Sequence, residues 1–160
     1  MLLRPDYLSD VGLFDERFFL YYEDTDLSWR GQARGWRYRF VPQSVVRHLH
    51  AASSVEGSER FAFFTERNRL LMLFKNAPRA MVTEALLAYK RQTYDALRRD
   101  VITAVLRRRR PNVTPVRRRL KALFGFAWRA PQLLWARRGI RRRQVVSDGD
   151  LAARLESTDR

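Results

Sequence analysis

Glu23, Asp24 and Asp26 place three carboxylates within four positions, directly after an aromatic run of Phe18, Phe19, Tyr21 and Tyr22. Aromatic side chains usually go inside and carboxylates usually stay in water. The order therefore predicts an acidic cluster held at the edge of a core. A carboxylate there is partly desolvated yet reaches a ligand, the setting that proton transfer requires. The same acids also suit a structural part. Early acids complement a helix N-terminus, and an Asp26–Arg30 pair at i,i+4 adds only about 0.2–0.5 kcal/mol. His48 and His50 are the other residues with ligand chemistry. At i,i+2 they share one face of an extended segment, where a histidine at a strand end is also commonly a hydrogen-bonded edge residue.

The elements that must hold these groups follow from periodicity and punctuation. Asp24-Thr25-Asp26 opens a helix over Asp24–Arg34, and Gly35 stops it. Met1–Arg4, ahead of Pro5, reads as a strand end, and Asp6–Asp10 as a brief helical turn. Trp36, Tyr38 and Phe40 alternate with Arg37, Arg39 and Val41, the period of a half-buried strand, which Pro42 ends. Val45 restarts an extended segment toward the histidines, and Ala51–Glu59 is small and polar, hence a loop. Glu59–Asn76 is a helix rich in Phe and Leu, stopped before Pro78. Arg79–Arg110 carries a helical apolar stripe through Val82, Leu86, Tyr89, Leu97 and Val101. After a linker, Asn112–Pro115, an amphipathic helix over Val116–Ala136 is broken by Pro131, and a short helical turn covers Leu151–Leu155.

The whole stretch Val11–Arg30, VGLFDERFFLYYEDTDLSWR, resembles the second conserved segment of family 2 glycosyltransferases of the rhamnosyltransferase-like kind. The likeness runs through Val11-Gly12-Leu13-Phe14-Asp15-Glu16, then from Phe18 to Leu27, with Arg30; Leu13 stands where the family usually has a second glycine. Val45–Ser54 looks like the family's valine–histidine–small-residue segment, and Arg67-Asn68-Arg69-Leu70-Leu71 like an R-N-R-L run. The resemblance covers about Met1–Asn76 and implies a partial GT-A type α/β fold for the N-terminal part. It implies Asp24 as general base in an inverting transfer from a nucleotide sugar to a glycan or lipid-linked acceptor. Glu23, Asp26, Arg30 and Trp29 would bind or orient that acceptor. A divalent ion, Mn²⁺ or Mg²⁺, would be completed by His48, with His50 as the alternative. The R-N-R-L run reads first as part of a core helix with a polar face, with a phosphate as the second partner open to Arg67. No Gly-rich loop or upstream Asp-x-Asp is present, so the donor-binding half is expected to lie outside this chain.

Charge divides the chain. Residues 1–60 carry a net charge of −1 and residues 61–160 a net charge of +16, and between Val101 and Ser147 there are 14 basic residues and no acid. The expected organisation is an acceptor-side glycosyltransferase part over 1–78, a mainly α-helical basic extension over 79–147 and a polar tail over 148–160. Basic helices with interleaved Trp and Leu suit an anionic membrane surface, with Arg107, Arg108, Arg109, Arg110, Arg117, Arg118, Arg119, Lys121, Trp128, Trp135, Arg137 and Arg138 as its contacts. Nucleic acid is the lesser expectation, because no helix-turn-helix, zinc or RNA-binding signature accompanies the charge. The absence of cysteine excludes a disulfide framework and thiolate metal sites. No apolar run approaches the roughly 18–20 residues of a membrane span. Taken with the resemblance, which implies a cell-envelope glycosyltransferase, these features place the expected enzyme in the cytoplasm, at the inner face of the cell membrane. The rival expectation is an inactive basic binding protein descended from such an enzyme.

Overall fold

The computed structural model describes residues 1–46 and 57–156, which form helices and no strand. Helix α1 spans Pro5–Val11; Pro5 opens it, where its missing N–H is no loss, and Gly12 closes it at φ 87°. Helix α2 covers Glu23–Ala33. Helix α3 covers Glu59–Asn76 and begins at a true cap, the Ser58 hydroxyl accepting from the Phe61 amide at 3.1 Å. Pro78 forces Ala77 into an extended conformation and ends α3. Helix α4, Arg79–Ala96, continues through a π-helical stretch, Leu97–Ile102, into the short α5, Thr103–Leu106. Helices α6, Thr114–Arg143, and α7, Asp148–Glu156, complete the chain.

The core lies between α3 and α6. Leu70 and Leu71 of α3 pack with Ala122, Phe126 and Leu133 of α6, Tyr89 of α4, and Phe18 and Trp29 from the N-terminal region. A smaller cluster of Tyr7, Val11 and Leu27 joins α1 to α2. There the Tyr7 hydroxyl donates to the Leu27 carbonyl at 2.7 Å and lies 2.9 Å from the Tyr38 hydroxyl. Both hydroxyls press on Gly31, leaving no room for a Cβ. Asp10 ties this corner to the C-terminal half, accepting from Arg34 at 2.8 Å, from the Trp36 indole at 2.8 Å and from Arg143 of α6 at 3.2 Å.

The α/β reading of the N-terminal part is overturned: its described residues contain no strand. A strand exists only where a neighbouring backbone completes its ladder. Among the described residues Trp36–Val41 has no such neighbour. Its alternation serves side-chain packing instead, with Trp36 and Tyr38 edge-on to Tyr7 at ring-centroid distances of 5.4 and 6.3 Å, while Phe40 is 87 % exposed. Met1–Arg4 likewise runs straight into α1, the Arg4 carbonyl accepting from the Leu8 amide. The break expected at Pro131 is also absent, since α6 is continuous through it. Pro131 and Ala127 both lie on the exposed face, where the carbonyl that proline leaves unbonded is open to solvent.

Two glycine substitutions separate crowding from helix propensity. Gly31→Ala pushes into the Tyr7 and Tyr38 hydroxyls and should cost about 1–3 kcal/mol as an overpacked site. Gly139→Ala on α6 meets nothing within 4 Å, and at an open helical position should gain about 0.5–1 kcal/mol. Thermal melts of the two variants should therefore move in opposite directions.

Candidate functional site

The acidic residues are presented by a strained turn. Phe19, Tyr21 and Tyr22 hold positive φ values of 62°, 67° and 69° although none is glycine. Each such residue costs on the order of 1–3 kcal/mol and persists only where its surroundings over-determine it. Here the surroundings are α3. The Asn68 side-chain amide nitrogen lies 2.8, 2.7 and 2.9 Å from the carbonyl oxygens of Phe18, Leu20 and Tyr21. Arg67 donates to the Phe18 carbonyl at 3.3 Å and to the Asn68 side-chain oxygen at 2.9 Å. Phe18 is sealed in the core, Phe19 packs on Phe64 and Tyr21 on Phe61. Burial, with repulsion from Arg129, pulls the Arg67 guanidinium down to about 10. Arg67 is thus engaged with a carbonyl and the rings of Phe63 and Phe64 rather than open to a phosphate.

Beneath the turn lies a buried ionic network. Asp26 is fully buried; one oxygen accepts from Lys75 at 2.8 Å and Arg30 at 2.9 Å, and the other from Asn76 at 2.8 Å. Lys75 also reaches Asp15 at 2.7 Å, and Arg17 closes on the same Asp15 at 2.6 Å. Arg30 donates onward to the backbone carbonyls of Val11 and Leu13. Burial pushes the Asp15 carboxyl upward, but the hydrogen bonds and charges of Arg17 and Lys75 outweigh it and hold the group well below the usual carboxylate range.

The expected site residues separate into two groups. Asp24 is exposed on the first turn of α2, where its Oδ1 accepts from the Thr25 amide at 2.6 Å. Glu23 beside it is partly exposed, and its Oε2 is buried without a hydrogen-bond partner among the described residues. Asp26 and Arg30 belong to the buried network, and Trp29 belongs to the core. His48 and His50 lie outside the described residues. On α6 and the loop before it, Arg107 to Arg110, Arg117, Lys121, Trp128, Trp135 and Arg138 are exposed. Arg118 and Arg119 turn to Glu66 instead, and Arg137 donates to the Phe74 carbonyl at 2.6 Å. A cavity of about 640 Å³ opens against Gly12, Leu13, Asp15, Arg17, Lys75 and the C-terminal half of α6; Asp24 does not line it. Sequence reasoning missed Lys75, Asn76 and the anchoring part of Asn68. Only the R-N-R-L run pointed toward any of them.

Among the described residues no three acids or histidines come together as a metal ligand set. The oxygens of Asp26 are already taken by Lys75, Arg30 and Asn76.

Two proteins from Mycobacterium tuberculosis, strains CDC 1551 / Oshkosh and ATCC 25618 / H37Rv, are similar to this chain over 54 residues at 43 % identity. Each is named N-acetylglucosaminyl-diphospho-decaprenol L-rhamnosyltransferase. The chain is a partial relative of a glycosyltransferase. The matched stretch is 34 % of this chain and spans 18 % of the length of these curated relatives. No family model matches the chain, and no solved structure matches it significantly. Among the described residues no helix is long and apolar enough to cross a membrane.

Asp15 gives the site a pH signature. Its folded-state carboxyl is depressed, so its contribution is complete above the unfolded value of about 3.9 and is lost as pH falls toward the folded one. The melting temperature should decline below about pH 4. Asp15→Asn should lower it at neutral pH and flatten the acid slope, which a melt series across pH reads directly.

Proposed function

We propose that this chain is the acceptor-side part of an inverting, family 2-like glycosyltransferase. In this reading it moves an L-rhamnose-type sugar from a nucleotide donor to a lipid-linked N-acetylglucosaminyl diphosphate acceptor. The observation that carries the reading is the strained turn over Phe19–Tyr22, pinned by Asn68. Backbone strain of this kind clusters at active sites. What this turn presents is the Glu23-Asp24 pair at the rim of the core. The partial likeness to the rhamnosyltransferases supports the same assignment.

Asp24 is the general base. Its carboxylate takes the proton of the acceptor hydroxyl as that oxygen bonds to the anomeric carbon, and the nucleoside diphosphate leaves from the opposite face with the bonding electrons. The position suits the role: Asp24 is exposed to an acceptor, while the helix start beneath it is fixed through Asp26 and Arg30. Glu23 stands beside it to orient the acceptor. Asp26 and Arg30 act as positioning residues that hold α2 against the Val11–Leu13 backbone.

The test is sugar transfer followed by mass spectrometry of the glycolipid, in the enzyme that carries this segment. Asp24→Asn should lower kcat by about 10²–10⁴-fold, the contribution of a positioned general base. Because Asp24 is exposed, the melting temperature should stay unchanged. Near-normal kcat in Asp24→Asn places the base elsewhere and removes this reading.

A further inference from the structure

Helix α6 presents two opposed apolar faces. Ala122, Phe126 and Leu133 point inward and are buried. On the opposite side Leu120, Phe124, Trp128 and Trp135 recur at intervals of four, four and seven residues, which return to one face of a helix. Phe124, Trp128 and Trp135 are 71 %, 70 % and 77 % exposed, so this ridge has no cover among the described residues. It runs about 22 Å, at 1.5 Å per residue.

Cations frame the ridge. Helical spacing puts Arg117 and Lys121 on this face at its N-terminal end and Arg138 and Arg142 at its C-terminal end. The Arg138 guanidinium stacks 5.7 Å over the Trp135 ring. A groove of about 700 Å³ runs along one flank, lined by Phe63, Leu120, Phe124 and Trp128 with Lys121 and Arg129 at its edge. On the other flank a groove of about 860 Å³ gathers Arg79, Arg137, Arg138, Arg141 and Arg142 around an apolar floor, with Asp148 as the one acid in its lining. Burial and the neighbouring Arg141 and Arg79 push the Arg137 guanidinium below its ordinary value, although Asp148, paired with Arg141, opposes the shift. Residues 101–147 supply no acid to balance them.

The structure assigns the outward face of α6 as a docking surface for a bilayer carrying anionic phospholipid. Phe124, Trp128 and Trp135 enter the boundary between headgroups and acyl chains, and the flanking arginines take lipid phosphates. The helix lies in the plane of the interface, because no described helix is long and apolar enough to span it. Charge complementarity selects this occupant. A nucleic-acid duplex offers phosphates but no apolar layer, leaving three large rings in water. A bilayer offers both, the apolar layer directly beneath the phosphates. This assignment rests on α6 alone and stands independently of the sugar-transfer reading.

The four tryptophans make the test direct, since Trp29 is buried and Trp36 is held by Asp10, while Trp128 and Trp135 face outward. The 160-residue chain is mixed with vesicles of phosphatidylcholine alone, or mixed with phosphatidylglycerol, each with and without brominated acyl chains. The chain should bind the phosphatidylglycerol vesicles and largely ignore the neutral ones, and brominated lipid should quench a large part of its emission. Trp128→Ser combined with Trp135→Ser should remove that quenching and weaken binding about ten-fold or more at high salt, where screening has reduced the charge contribution. The melting temperature should be unaffected, and binding to duplex DNA should change less than about two-fold, since phosphate contacts dominate there. Binding to anionic vesicles without quenching would assign the contact to other cations and overturn the proposal. So would equal loss on vesicles and DNA, no preference for anionic lipid, or salt-resistant binding to DNA tighter than to vesicles.

Discussion

Lys75 holds two carboxylates that lie far away in the chain. It reaches Asp15 across 60 positions and Asp26 across 49, at 2.7 and 2.8 Å, in a place almost closed to water. Taking such charges out of water costs several kcal/mol each, so the arrangement survives only because nearly every group finds a partner. Arg17 completes Asp15, and Arg30 and Asn76 complete Asp26. The lysine sits in the last turn of α3, one residue before Asn76, where a cation also complements the helix C-terminus. One ammonium thereby locks the loop before the aromatic turn, the start of α2 and the end of α3 into a single register.

That lock works together with the polar anchor at the middle of α3. Asn68 gathers the carbonyls of the strained turn, while Lys75 fixes the segments on either side of it. Between these two points the chain has little freedom. The left-handed backbone at Phe19, Tyr21 and Tyr22 is the outcome, and it delivers Glu23 and Asp24 to the surface at the N-terminus of α2. The carboxylate with a proposed chemical task is therefore exposed, and the one that bears the structural load is buried, although Asp24 and Asp26 stand two positions apart.

Much of this was legible in the sequence, and the gaps have physical causes. Pro78 ends α3 and Gly35 follows the end of α2, as read from the sequence, because breakers act locally. The strand expected over Trp36–Val41 failed because alternation reports which side chains share a face, not whether a neighbouring backbone is there to pair with. Pro131 did not break α6 because it falls on the outer face, a matter of register against a partner helix that composition does not reveal. The acidic cluster was visible, but its division into a buried Asp26 and an exposed Asp24 was not, since that depends on Lys75. A lysine at the end of a Phe-rich helix looks like any solvated lysine until its distant partners are placed beside it.

Unfolding of Lys75→Met by urea measures most directly how much Lys75 holds the site together. Methionine keeps most of the length of the side chain and removes the charge, leaving Asp15 with Arg17 and Asp26 with Arg30 but without the ammonium they share. A loss of about 3–5 kcal/mol is predicted, the cost of breaking a buried ion pair from one side. A loss under about 1 kcal/mol, the range of an exposed surface pair, would contradict the claim that Lys75 holds the site together.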